Sequence, residues 1–121
     1  MDRTYRTIDV LPRADVFCVR LRSLRMVENE LYELSGELSA LINEDGCRKL
    51  ALSLGPGAPE CLYSVFLAKL IALQRQLGEK GGRMVLCEVS PEVRAIFDAC
   101  QLGQQFHFAA DFDEALQALA G

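Results

Sequence analysis

The chain has 121 residues, half of them hydrophobic and a quarter charged, with a net charge of −4. That is enough for one domain with a substantial core, expected to span residues 1–121, and too short for two. The absence of a dense basic cluster argues against a nucleic-acid groove or an anionic membrane patch, and Lys69 and Arg75 interrupt the longest candidate for a membrane span.

The first residues, MDRTYRTIDV, mix charges of both signs without an apolar block, so no signal peptide is read and a cytoplasmic location is expected. Tyr5 to Val10 suits an edge strand, with Pro12 in the turn that follows. Asp15 to Leu21, DVFCVRL, is a second strand. Val16, Cys18 and Arg20 would face one side, and Phe17, Val19 and Leu21 the other. So short a connection implies an antiparallel pair.

The period then changes. Val27, Leu31, Leu34, Leu38, Leu41 and Ile42 recur every three or four residues, with Glu30, Glu33, Glu37 and Glu44 largely off the stripe. This predicts an amphipathic helix, with Gly36 inside it and Gly46 just past its end. RKLALSL, Arg48 to Leu54, reads as a strand, and GPGAPECLYS follows as a Gly/Pro turn. From Ser64 to about Lys80 a second helix carries Leu67, Leu70, Ile71, Gln74 and Leu77 on one stripe, and Gly81-Gly82 ends it. RMVLCEV, from Arg83, is a buried strand. Ser90-Pro91 starts a third helix, with Ile96, Phe97 and Cys100 as its apolar positions. Phe106-His107-Phe108 forms a last strand, and Asp111 caps a final helix from Phe112 to Leu119. The order ββαβαβαβα implies an α/β fold with right-handed crossovers and a largely parallel sheet.

The candidate sites are few. GPGAPECLYS lacks the Lys of a phosphate-binding P-loop and the third glycine of a dinucleotide fingerprint, so it reads as a strand-to-helix connection. The five cysteines, Cys18, Cys47, Cys61, Cys87 and Cys100, include no CxxC pair, and His107 is the only histidine. A metal site is therefore not expected, and the thiols read as reduced and mostly buried. Cys61, near a helix start, is the one candidate nucleophile of a small thiol enzyme. Ser64 sits where a helix should begin. It is either an N-cap, stabilising by about 1 kcal/mol, or a hydroxyl at which a phosphate would be tolerated beside the positive helix end.

GGRMVLCEVSPEVRAIFDACQL, with the preceding LAKLIALQRQL, resembles a stretch of STAS domains, the bacterial anti-sigma factor antagonists. The resemblance covers about Val16 to Leu119 and is most specific from Leu67 to Leu102. It implies a mixed, mostly parallel sheet with helices packed mainly on one side. It also implies a non-enzymatic regulatory domain without a cofactor. In the family the second helix begins Asp-Ser-x-Gly-Leu, and that serine is phosphorylated by an anti-sigma factor that is also a kinase. The unphosphorylated form binds this partner, and a phosphatase resets the switch. The motif falls on Tyr63-Ser64-Val65-Phe66-Leu67, with Tyr63 in place of the acid and Phe66 in place of the glycine. The resemblance thus implies Ser64 as phosphoacceptor and Tyr63, Ser64, Val65 and Phe66 as partner-binding residues. The alternatives are a scaffold of the same fold that is never phosphorylated, and the thiol enzyme using Cys61.

Overall fold

The structure, a computed structural model, describes residues 5–22, 25, 27–55 and 63–120, without the side chains of Glu28 and Tyr63. In chain order the elements are β1 (Ile8–Arg13), β2 (Val16–Leu21), α1 (Glu28–Asn43), β3 (Lys49–Ser53), α2 (Tyr63–Glu79), β4 (Arg83–Cys87), α3 (Pro91–Ala99), β5 (His107–Ala109) and α4 (Phe112–Leu119). The strands lie in the order β1-β2-β3-β4-β5. β1 and β2 are antiparallel, and β2 to β5 run parallel. Both the expected order of elements and the mixed, mostly parallel sheet are found.

The first hairpin differs in detail. Pro12 lies inside β1, opposite Phe17, and not in the turn. An edge strand tolerates proline because its missing N–H can lie on the side with no neighbour. The reversal falls one step later, on Ala14 and Asp15, and Ala14 takes a left-handed conformation at φ 56°. Lys49, at the start of β3, ties the turn to the sheet through an ion pair with Asp15 at 2.8 Å.

Alternation along the strands divides the interior in two. Val19 and Leu21 of β2, Leu50 and Leu52 of β3 and Met84 and Leu86 of β4 face the larger core, with α1, α2 and α3. Val16 and Cys18, Ala51, and Val85 and Cys87 face the smaller core, where Ala115 and Leu119 of α4 pack. Helices thus cover mainly one side. α1 buries Leu31, Leu34, Leu38, Leu41 and Ile42 as its period predicts, whereas Val27 precedes the helix and is exposed. α2 buries Phe66, Leu67, Leu70, Leu73 and Leu77. The true stripe is turned slightly from the expected one, leaving Ile71 half-buried and Gln74 at the rim, where its amide donates to the Gln105 carbonyl at 2.7 Å. In α3 the inward pair is Val93 and Phe97, one turn apart. Ile96 is half-buried and Cys100 exposed, which corrects the expected apolar face. Phe97 meets the rings of Phe106 and Phe108 edge-on at 5.5 and 5.4 Å.

Ser90 caps α3 by accepting from the Val93 N–H, and Asp111 caps α4 by accepting from the Glu114 N–H. The segment before β1 is strapped across α1. Glu37 accepts from the N–H groups of Arg6 and Thr7 and from the Thr7 hydroxyl, and Tyr5 donates to Asp45. Burial alone would push the Glu37 carboxyl up, but these hydrogen bonds, with the charge of Arg6, outweigh it and hold it below the ordinary value of 4.5. A carboxylate lowered by folding contributes stability above its unfolded-state value, and that stability is lost as pH falls through the folded-state value. Glu37→Gln should therefore lower stability at pH 7, and chemical denaturation should show the deficit shrinking below about pH 4.5. A deficit constant with pH would refute the strap's charged character.

Two further outcomes test the helices. At Gly36, within α1, an added Cβ would meet nothing within 4 Å. Gly36→Ala should therefore stabilise by about 0.5–1 kcal/mol, read as a raised melting temperature. Leu70, 2% exposed between α2 and the sheet, should cost about 2–5 kcal/mol when cut to alanine.

Candidate functional site

The start of α2 follows from one anchor. Phe66 is 1% exposed and packs in the larger core, where Leu34 and Leu38 of α1 and Leu70 and Leu73 of α2 surround a small cavity with it. Helical spacing then turns Ser64 outward, exposed, with Val65 half-buried between. Phe66 was expected to contact a partner. Its burial corrects that: the side chain holds the helix, and the accessible surface belongs to its neighbours. The Tyr63 side chain lies outside the described residues. Ser64 is the second residue of α2, inside the helix and not at the expected N-cap.

Ser64 opens onto a shallow groove of about 430 Å³ between α1 and α2, lined also by Ser35, Val65, Ala68, Lys69 and Ala72. The lining is small and mostly apolar, and Lys69 is its one charged residue among those described. The Lys69 ammonium stands 5.3 Å from the centre of the Tyr32 ring, which is itself 77% exposed. The first turn of α2 carries no acidic residue. A negative charge at Ser64 would therefore meet the positive helix end, with Lys69 lining the same groove and no carboxylate in its own turn.

A second cluster, missed in the sequence, fixes the chain where it leaves β3 towards α2. Ser53 is fully buried. Its hydroxyl donates to Glu88 Oε1 at 2.5 Å and accepts from the Gly55 N–H at 3.2 Å. Arg20, at the end of β2, donates to the same carboxylate oxygen at 2.8 Å and lies 5.0 Å from the centre of the Phe112 ring. The ends of β2, β3 and β4 are thus joined by one carboxylate. Burial would raise the Glu88 carboxyl, but the bonds from Ser53 and Arg20 and the Arg20 charge hold it below the usual glutamate value. Glu88 has φ 55°, a left-handed conformation uncommon for a residue with a side chain. Its carbonyl comes so close to Gly55 that a Cβ there would collide with it. The only trace of this in the sequence was a serine inside an otherwise apolar strand.

The remaining candidates separate. Cys61 and most of the Gly/Pro turn, residues 56–62, lie outside the described residues. Cys18, Cys47 and Cys87 are buried free thiols, and burial pushes those of Cys47 and Cys87 up to about 12, far from reactive thiolates. Cys100 is exposed. His107 is exposed on β5, and among the described residues no three His, Cys, Asp or Glu side chains gather as a metal would need. None of the described helices is long and apolar enough to cross a membrane.

The fold is shared with known proteins. The family model described as the STAS domain matches residues 64–115. A STAS-domain anti-sigma-factor antagonist protein from Planctomyces limnophilus is 23% identical, with 94% of this chain and 98% of that chain covered and a TM-score of 0.80. An anti-sigma factor antagonist from Mycobacterium paratuberculosis is 22% identical, with coverage of 95% and 94% and a TM-score of 0.79. The Bacillus cell fate determinant SpoIIAA in its phosphorylated form is 15% identical, with coverage of 92% and 98% and a TM-score of 0.69. The fold is that of the STAS domain, and the family match contains the segment from Leu67 to Leu102 on which the resemblance was most specific.

The Gly55 contact yields a direct test. Gly55→Ala should destabilise by about 1–3 kcal/mol through overpacking, and Ser53→Ala by a similar ~1–3 kcal/mol through unsatisfied buried groups. If the Gly55→Ala protein unfolds in urea at the wild-type midpoint, the close approach of Gly55 and Glu88 is not a constraint on the fold.

Proposed function

We propose that the chain, as a single domain over residues 1–121, is a non-enzymatic, anti-sigma factor antagonist-like binding domain, with Ser64 as its phosphoacceptor. The observation that carries this reading is the exposure of Ser64 on the first turn of α2, at the mouth of an apolar groove. In the unphosphorylated form Ser64, Val65, Ala68 and Ala72, with Tyr32 at the side, present a surface of low charge to an anti-sigma factor. Tyr63, one residue earlier in the chain, is proposed to contact the same partner. Phosphorylation adds about −1.5 to −2 charges to that surface. Burying such a group against a partner costs its hydration, while the fold itself is spared because charge at a helix N-terminus is favourable. The partner would be a serine kinase as well as an anti-sigma factor, with a phosphatase restoring the hydroxyl in the cytoplasm.

Tyr63 and Phe66 favour a second reading. Neither residue matches the family motif, and the buried Phe66 ring leaves α2 with less freedom at its start than glycine would. Under that reading the domain is a scaffold whose groove binds the same class of partner without modification.

Affinity for the cognate anti-sigma factor distinguishes the two. Ser64→Asp should weaken binding by about tenfold or more, equivalent to ~1.4 kcal/mol, with an unchanged melting temperature, and Ser64→Ala should bind as the wild type does. Incubation with the kinase and ATP should add phosphate to wild type and none to Ser64→Ala. Equal affinity for serine, alanine and aspartate, with no phosphate incorporated, would leave the scaffold.

A further inference from the structure

A cleft of about 660 Å³ lies at the other end of α2, where the sheet narrows beside the start of β5. β4 begins at Arg83, but its pairing with β5 begins only at Val85, opposite His107. Arg83 and Met84 thus run past the last strand, and the cleft occupies that edge. It is floored by Phe106 and Phe108 and flanked by Gln74, Gln104 and Gln105. Its charged side chains are Arg83 and Arg94, joined by His107 as a third nitrogen base, and no carboxylate is among its described lining residues. This is unusual in a chain where acids outnumber bases 17 to 13.

The cations approach from both faces of the sheet. Arg83 is two residues from Val85 and shares the face that carries α4. There its guanidinium donates to the Leu119 carbonyl at 3.1 Å, which holds it at the cleft. Arg94, on α3, lies over the Phe108 ring at 3.9 Å from its centre, on the opposite face. A guanidinium held over a ring keeps N–H groups available to donate to an oxyanion. A competing charge, Asp98, lies in the adjoining hollow 3.7 Å from Arg94 Nε. At that distance it pairs with one nitrogen only loosely. The carbonyl ends of α2 and α4 also border the cleft, and their partial negative charge opposes an anion. One of these carbonyls, that of Leu119, is already met by Arg83, and two full guanidinium charges exceed the two half-charges of these helix ends together.

We infer that this cleft binds a small organic oxyanion, a carboxylate or a phosphate ester, with Arg94 and Arg83 holding the charge and His107 and the three glutamines reading its polar body. The volume suits a metabolite-sized ligand. The site stands about 20 Å along α2 from Ser64, at 1.5 Å per residue, and does not depend on the phosphorylation proposal.

Calorimetric titration of the full chain with citrate, glycerol 3-phosphate and uncharged glycerol tests it, in a buffer free of other multivalent anions. Saturable binding of citrate or of glycerol 3-phosphate is expected, with none for glycerol, and the better of the two anions identifies the source of the charge. Arg94→Gln should weaken binding by about tenfold or more at an unchanged melting temperature, and His107→Gln should weaken it less. Amide NMR shifts of the wild type, which need no variant, should move at Gly103 to His107 on saturation. No saturable binding of either anion, equal affinity in Arg94→Gln, or shifts confined to residues outside the cleft would overturn the inference.

Discussion

The burial of one aromatic ring at the start of α2 governs the candidate regulatory surface. Fully burying a phenylalanine contributes on the order of 1.5–3 kcal/mol, more than a single cap or surface ion pair. Phe66 spends that on a position: with Leu70, Leu73 and Leu77 it forms a stripe that sets the rotation of α2 against α1 and the sheet. Once the rotation is set, helical geometry leaves no choice about Ser64, Ala68 and Ala72, which must lie on the outer side. The groove beside Ser64 is shallow because these residues are small, and it is mostly apolar, with Lys69 the one charged residue among its described lining.

A second constraint acts where the chain leaves β3. Three parallel strands end in a row, and their ends would leave polar groups half-buried without partners. Glu88 supplies the common acceptor for Ser53 and Arg20, and Ser53 supplies one for Gly55. The left-handed backbone at Glu88 is costly for a side-chain-bearing residue. It is held by the two side-chain bonds and by the bond of its own N–H to the Ala110 carbonyl at 3.3 Å. The segment carrying Ser64 therefore departs from a fixed point at Gly55 and arrives at a fixed point at Phe66.

The difference between these two constraints explains what could be read beforehand. Element order, the final helix from Phe112 to Leu119 and the two faces of β2 were legible because each rests on local period and capping chemistry. Pro12 was misplaced because a strand's tolerance of proline depends on its being at an edge, which is a property of the sheet and not of the stretch itself. Phe66 was assigned to the surface because aligning it with a family glycine said nothing about its own hydrophobicity, whereas its spacing to Leu70, Leu73 and Leu77 would have placed it inside. The Ser53–Glu88–Arg20 cluster joins residues far apart in the chain, and no periodic signal can bring three such polar residues together. The cationic cleft was hidden for the same reason, since Arg83, Arg94 and His107 come to line one cleft only through the register of β4 and β5 and the packing of α3.

The distances over which charge acts set the reach of a modification at Ser64. In physiological salt an exposed charge is screened beyond about 8 Å. A phosphate on the first turn of α2 would feel the helix end and the groove, and little of the sheet. It would not loosen Phe66, whose burial rests on apolar contact that charge outside does not alter. Nor would it reach the cleft at the far end of α2 by direct electrostatics. Its effect must then fall on whatever is pressed against the groove, where water is excluded and screening fails. The residues that keep α2 in place are buried, and the residue at which a phosphate would add charge is held outside by the same helix.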